Sequence, residues 1–163
     1  MSDDEMILKM SMPLDSDGFL RRRCSSCERE LKWLAAGDDE QGAEAPDGGF
    51  FCPYCGIQAP PAEWLTEAQE AHFNAMIQQE VLGPLLKNFG EGLQRSARGS
   101  GGLVSVEVTQ PEFDEPVELM ETDDMRRVDF ACHPGESIKV IEDWSGPGRC
   151  VVCGTVADQP LPG

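Results

Sequence analysis

Aromatic and basic residues are both scarce in this sequence. Aromatic residues make up 7% and apolar residues 40% of the 163 residues, so a single large core is poorly supplied and small subdomains need another source of stability. Thirteen basic residues stand against thirty acidic ones, which gives a net charge of −17. That excess argues against broad nucleic-acid binding, because such binding depends on a basic surface.

Long apolar runs are also missing. None approaches the roughly 18 residues of a membrane span, and the acidic start MSDDEMILKM does not have the pattern of a secretory signal. We therefore expect a cytoplasmic protein that has no membrane partner. In a reducing compartment cysteine pairs are metal ligands more often than disulfides, and seven cysteines, an odd number, fit a disulfide framework poorly.

Two Cys-x-x-Cys pairs form the first candidate metal site, with ligands Cys24, Cys27, Cys52 and Cys55. A tetrahedral zinc ion takes four soft donors, and each pair places two thiolates on one side of it. The glycine that follows the second pair in FFCPYCGIQ suits a tight knuckle, since glycine tolerates a positive φ. Glu28 stands at the equivalent position of the first pair, which predicts a less regular turn there.

A third pair, Cys150 and Cys153, predicts a second site, for which Cys132 and His133 lie upstream. Zinc accepts three cysteines and a histidine. Neighbouring side chains of an extended strand point to opposite faces, so both can bind only if the chain turns, and Pro134-Gly135 favours a turn there. We expect all four residues to be ligands. The alternative is that His133 lies beside a three-cysteine site that water completes.

The middle of the chain has the pattern of a helix. Residues 66–82 carry an apolar face at helical spacing, which we expect to pack against one or both cysteine regions or against a second copy. Gly83-Pro84 is expected to break or kink this helix, and a weaker helix follows. His72 is expected to be a half-buried helix residue rather than a metal ligand. The face consists of Leu65, His72, Phe73, Met76, Ile77 and Val81.

After the glycine-rich stretch at 96–102 the apolar period changes from helical to alternating. Alternation of this kind is typical of half-buried strands. It predicts strands near residues 104–108, 117–119, 128–130 and 138–140.

The knuckles that end in CPYCG and CVVCG resemble those of the zinc-ribbon family over residues 20–58 and 126–156. More loosely, the layout is similar to bacterial proteins with two zinc ribbons joined by a helical segment. The resemblance implies a structural metal and no known activity. From the two candidate ligand sets we expect two Zn²⁺ ions, and the helical and alternating patterns predict an α+β fold, with two small β-rich zinc ribbons joined by a helical segment.

The expected organisation follows from these patterns. An acidic N-terminal segment precedes the first ribbon, which contains an acidic loop; a helical segment, a linker, the second ribbon and a tail complete the chain. The boundaries are 1–19 for the segment, 20–60 for the first ribbon with its loop at 37–49, 61–98 for the helical segment, 99–102 for the linker, 103–157 for the second ribbon and 158–163 for the tail.

These patterns favour a non-enzymatic, metal-stabilised interaction module that binds a protein partner, and they leave a homodimer through the helical segment open. Catalysis would need an open metal position or a nucleophile with its base, and the sequence offers no motif for either. A thioredoxin-like role would need a βαβ setting around a Cys-x-x-Cys pair, which Pro60-Pro61 opposes. CPYCG is also similar to a knuckle of rubredoxins, so an iron electron carrier is one alternative, because tetrahedral sulfur suits both metals.

A basic cluster near the first knuckle supplies the other alternative. Such a patch can hold single-stranded nucleic acid through phosphate contacts and stacking. It can equally offset the charge of four thiolates, dock onto an acidic partner or pair with the chain's own acids, and the acidic balance of the chain favours these local roles. The cluster consists of Arg21, Arg22, Arg23, Arg29 and Lys32.

Overall fold

The computed structural model describes residues 11–34 and 45–157. The predicted acidic segment 1–19, acidic loop 37–49 and tail 158–163 therefore lie partly or wholly outside the described residues. The chain divides into two compact units, one formed by the residues up to Thr66 together with those from Leu119 onward, and the other formed by Glu67–Glu118. Within the described part of the chain, no helix combines the length and apolarity needed to cross a bilayer.

The first unit is built on two small antiparallel sheets. The larger has four strands in the order β1-β2-β6-β5, and the smaller pairs β3 with β4. The strands are β1 Phe19–Arg23, β2 Glu30–Leu34, β3 Phe50–Phe51, β4 Gln58–Ala59, β5 Met125–Phe130 and β6 His133–Ile141.

Strands from both predicted ribbons, 20–60 and 103–157, form the one larger sheet. The sequence had predicted two separate ribbons. Strand β2 of the first region pairs with β6 of the second, with Trp33 opposite Ile138. Both cysteine regions contribute fully buried residues to one core, among them Leu31, Ile138 and Val140. A two-stranded hairpin alone is marginally stable in water. Because the β1-β2 and β5-β6 hairpins pair through β2 and β6, the four strands together bury a larger apolar surface than either hairpin could.

The second unit is helical. Helix α1 spans Glu67–Ile77, a π-helical turn spans Gln78–Leu82 and helix α2 spans Gly83–Arg98. The predicted break at Gly83-Pro84 is a change of helix type instead. Pro84 is the second residue of α2, and Leu82 and Gly83 before it keep right-handed helical dihedral angles, so the chain stays helical through the proline.

The strands predicted near 104–108 and 117–119 are wrong. Residues 103–124, all of them described, form no strand. Val108 packs on Gly90 of α2, while Val104 and Val117 are 55% and 69% exposed. The alternation therefore reflects contact of one side with a helix, and no neighbouring strand supplies hydrogen bonds.

Candidate metal centres

Three Cys-x-x-Cys turns supply most of the candidate ligands, and the three have the same backbone hydrogen bonds. The first cysteine of each turn accepts from the N–H four residues later, at 2.9 Å for Cys24, 3.0 Å for Cys52 and 2.9 Å for Cys150. The N–H of that cysteine donates to the carbonyl five residues later, at 3.0, 2.8 and 3.0 Å in the same order. Such a closed turn points both sulfur atoms to one side.

The residue after each second cysteine has a positive φ. Gly56 and Gly154 have φ of 76° and 69°, and Glu28 has φ of 60°. The first knuckle is therefore as regular as the other two, contrary to the expectation from the missing glycine. Its regularity carries a cost, because a side chain in the left-handed region is strained by about 1–2 kcal/mol.

The first centre brings together the four residues predicted for it. Cys24 and Cys52 are fully buried, Cys27 is half-buried and Cys55 is exposed. The sulfur atoms of Cys24 and Cys55 lie 3.8 Å apart, and those of Cys27 and Cys52 lie 3.7 Å apart. Four sulfurs at about 2.3 Å from a tetrahedral zinc ion are about 3.8 Å from each other. The donor set therefore fits zinc without rearrangement.

The second centre brings together Cys132, His133, Cys150 and Cys153, with all four donor atoms within 4.8 Å of one another. His133 Nδ1 lies 3.5 Å from Cys150 Sγ, and Cys132 Sγ lies 3.6 Å from Cys153 Sγ. A nitrogen at about 2.0–2.1 Å and a sulfur at about 2.3 Å from one tetrahedral ion lie about 3.5 Å apart. The histidine nitrogen that faces the site is therefore placed as a ligand would be.

A tight hairpin turn lets two adjacent residues face the second centre. Phe130 of β5 is the register partner of His133 of β6, so Ala131 and Cys132 form the two-residue loop between them. The turn predicted at Pro134-Gly135 is wrong, because both residues lie inside β6. Cys132 sits in the loop and His133 opens the strand, so the alternation of an extended strand does not separate them.

Within each centre the thiols differ in acidity, because the pKa is raised for some cysteines and lowered for others. Burial raises the pKa of Cys24 and Cys52 above the ordinary thiol value, although N–H groups of their own knuckles donate to both sulfurs. Contact with the Thr155 hydroxyl and backbone N–H lowers the pKa of Cys153 to about 6; its sulfur lies 3.1 Å from Thr155 Oγ1. A divalent ion must displace the protons of the buried thiols when it binds.

The two knuckles nearest each other are joined through their backbones. Phe51 N–H donates to the carbonyl of Val151 at 2.8 Å, and Arg149 N–H donates to that of Pro53 at 3.1 Å. Cys52 and Cys150, which were predicted as ligands of different metal ions, thus lie in adjacent backbone segments. No local sequence pattern predicts this pairing, because it involves residues about a hundred positions apart.

Tyr54 links the first centre to the larger sheet, a role that no sequence pattern predicted. Its hydroxyl donates to the carbonyl of Glu30 at 2.7 Å and accepts from the N–H of Ile141 at 3.0 Å. One side chain inside the CPYC knuckle thus bridges β2 and β6. It is the only tyrosine in the chain, and its position between two cysteines was the one available signal.

The predicted basic patch is largely internal. The side chain of Lys32 is 0% exposed and pairs with Asp15 at 3.2 Å and Glu121 at 2.9 Å. Its inclusion in an exposed patch was therefore wrong. Arg21, its partner across the β1-β2 pair, contacts Glu121 at 2.8 Å and Asp124 at 2.5 Å. Side chains alternate between the two faces of a strand, so Arg21 and Lys32, which are register partners, lie on the same face of the hairpin. Residues 121–124 pack against that face and supply the acidic partners.

The other three arginines of the cluster lie elsewhere. The guanidinium of Arg22 lies 5.1 Å from the centroid of Trp33, and that of Arg29 lies 5.0 Å from the centroid of Trp144. Arg23 pairs with Glu28 at 3.0 Å. The five residues therefore do not form one continuous cationic surface.

His72, which was not expected to bind metal, lies outside both clusters. Its Nδ1 is 2.7 Å from the carbonyl of Val117. Another group of acids, Asp15, Asp17 and Asp123, also lies close together. The ammonium group of Lys139 lies 2.7 Å from both Asp15 and Asp17, so a cation of the chain already balances this group.

No family model matches the chain, and neither a curated protein nor a solved structure matches it. Two clusters of cysteine, one with a histidine, are compatible with zinc-ribbon-like sites. The geometry thus supports metal binding, and the function has to be argued from the residues themselves.

Proposed function

We propose that this protein is a non-enzymatic, zinc-stabilised module that recognises a protein partner. The observation that carries the proposal is that each cluster supplies four protein donors at the spacing of a tetrahedral ion. Four protein ligands fill the coordination shell of zinc and leave no position for substrate. A closed site of this kind stabilises a fold and does not perform chemistry.

Burial around the first centre supports a structural role for the metal. Cys24 and Cys52 belong to the same core cluster as Leu31 and Ile138. Metal removal would leave buried thiols without a partner and would separate the CPYC knuckle, which Tyr54 ties to the sheet, from the Cys24–Cys27 knuckle. Zinc binding contributes about 10–16 kcal/mol in isolated finger peptides, which is as large as the whole unfolding free energy of a typical domain, about 5–15 kcal/mol.

The recognition surface in this proposal is one face of α2. Four large apolar side chains of α2, together with Leu82 at the end of the preceding π-helical turn, recur every three or four residues, so the five share a face. Phe89 is 66% exposed and Leu85 is 55% exposed. Exposed apolar residues grouped in this way are typical of surfaces that bind another protein. They are Leu82, Leu85, Leu86, Phe89 and Leu93.

The structural role of the metal is tested with Cys55→Ser and Cys153→Ser. We expect each variant to lose one metal ion. Cys55→Ser should also lose part of its β-sheet signal in circular dichroism, because the ligands Cys24 and Cys52 belong to the core, whereas Cys153→Ser should keep the sheet signal and lose thermal stability. A matched control is Ser25→Ala, a change to an exposed residue between two ligands that supplies no donor. A cysteine variant that loses its metal and keeps the full circular dichroism signal and thermal stability would contradict the proposal.

The recognition surface is tested with Phe89→Glu. We expect proteins captured by the wild type from cells of its source, or self-association measured by light scattering, to be lost in this variant while metal content is unchanged. Leu103→Glu is the control, because Leu103 is 91% exposed and lies outside α2. Equal binding by the wild type and Phe89→Glu would remove α2 from the proposal.

A further inference from the structure

The two centres differ in how far solvent reaches their sulfur atoms. In the first centre each close sulfur pair contains a fully buried cysteine, Cys24 or Cys52. In the second centre the close pair is Cys132 and Cys153, at 3.6 Å, and both residues are exposed. Of the two centres, only the second therefore has a close sulfur pair in which a dissolved oxidant can reach both cysteines.

We propose that Cys132 and Cys153 form a peroxide-sensitive pair whose oxidation to a disulfide releases the metal of the second centre. The inference rests on the proposed function, since it needs a metal ion bound there. It adds a modification site and an oxidant class, hydroperoxides, to a centre otherwise assigned a purely structural role.

The oxidation is a two-electron process. The thiolate of Cys153 attacks one oxygen of hydrogen peroxide, the O–O bond breaks, and sulfenic acid and hydroxide form. The thiolate of Cys132 then attacks the sulfenic sulfur, so that the S–S bond forms and a second hydroxide leaves. Two protons from solvent convert the hydroxides to water. The metal keeps its oxidation state and departs because two of its four ligands are gone.

The geometry around the pair allows the new bond to form. A disulfide needs the two sulfurs at about 2.05 Å, so they must approach by about 1.5 Å from their present separation. Cys132 lies in the exposed two-residue loop between β5 and β6, and loops of this kind move more easily than strands. His133 and Cys150 remain as the other two donors, which is too few for a stable zinc site.

The rest of the first unit keeps its supports when the second centre opens. Phe51 N–H and Arg149 N–H still join the two knuckles, and Val128 and Phe130 of β5 stay in the core with Ile138 of β6. None of these contacts passes through Cys132 or Cys153. The expected product therefore retains the first metal ion and the four-stranded sheet.

The test treats the full chain, loaded with two zinc ions, with hydrogen peroxide and follows zinc release with a colorimetric chelator. We expect one ion to be released at least about tenfold faster than the other. Mass spectrometry of the intermediate should show the loss of two hydrogens and a peptide linked between Cys132 and Cys153. Circular dichroism should stay unchanged until the second ion leaves.

Cys132→His is the matched control. It retains a two-cysteine, two-histidine donor set, which zinc accepts, and removes one sulfur of the pair, so fast release should disappear. Release of both ions at one rate, or a first disulfide within the Cys24–Cys55 cluster, would overturn the inference while leaving the proposed function intact. A chain that carries no zinc at the second centre before peroxide is added would instead overturn the proposed function.

Discussion

Glu28 occupies the position at which the other two knuckles have glycine, and it adopts the same positive φ. Closure of the knuckle requires this conformation, because the N–H of Glu28 donates to the carbonyl of Cys24 at 2.9 Å. The chain therefore holds a strained non-glycine residue beside Cys27, a half-buried candidate ligand. The strain is small compared with the free energy that a bound metal contributes.

Glu28→Gly should stabilise the metal-loaded protein by about 0.5–1 kcal/mol, since relief of strain exceeds the loss of the ion pair with Arg23 and the added chain entropy of glycine. Urea unfolding measures the difference. Arg23→Gln is the control, because it removes the ion pair and leaves the backbone unchanged, and it should alter stability by less than about 0.5 kcal/mol. A destabilised Glu28→Gly would show that the left-handed turn is not strained.

Asp15 is the buried carboxylate between two lysines. Burial alone would raise its pKa, but hydrogen bonds from Lys139, the Phe19 N–H and Lys32 outweigh burial and lower the pKa to about 2 from the ordinary 3.8. The lowered pKa means that the carboxylate contributes stability above about pH 4. The contribution is lost only as the pH falls through 2.

Asp15→Asn should therefore cost about 2–4 kcal/mol of unfolding free energy, because two lysines lose a buried partner. The difference from the wild type should stay constant between about pH 5 and 8. Asp17→Asn is the control, since Asp17 contacts the same Lys139 from an exposed position, and its cost should be below about 1 kcal/mol. A difference that shrinks between pH 7 and 5 would mean that Asp15 titrates there.

At the scale of elements, Tyr54 joins the CPYC knuckle to the larger sheet. Its hydroxyl contacts the backbone of Glu30, the first residue of β2, and of Ile141, the last residue of β6. Burial raises the pKa of this hydroxyl above the ordinary value. The hydroxyl therefore stays protonated at neutral pH and donates to the carbonyl of Glu30. It joins a metal-binding turn to two strands from different parts of the sequence.

Tyr54→Phe should destabilise the loaded protein by about 1–3 kcal/mol, because the carbonyl of Glu30 and the N–H of Ile141 lose their partner. Metal content should stay unchanged, since the four donors of the first centre are intact. Chemical denaturation with parallel metal analysis tests both statements. Loss of zinc from Tyr54→Phe would indicate that the tyrosine also positions the ligands.

The sequence predicted those elements whose signal is local. Cysteine spacing predicted both donor sets, and alternating apolar residues predicted β5 and the buried part of β6. The same alternation failed at 104–108, because a strand also needs a neighbour and Val108 contacts a helix instead. The pairing of β2 with β6 and the contact between knuckles had no local signal, since both depend on residues far apart in the sequence.

At the scale of the molecule, few aromatic side chains are available to stabilise the fold by apolar burial. The core of the first unit is small, and three of its buried residues are the candidate ligands Cys24, Cys52 and Cys150. Apolar burial in a core of this size rarely supplies more than a few kcal/mol. In the proposed function, two bound ions supply the stability that this small apolar core does not.

Native mass spectrometry of the purified full chain, with elemental analysis, tests this account most directly. We predict two zinc ions per chain, no visible absorption, and loss of the sheet signal when a strong chelator removes both ions. Iron in place of zinc would contradict the assignment of the metal. A chain without bound metal, or one that keeps its fold after both ions are removed, would contradict the central claim.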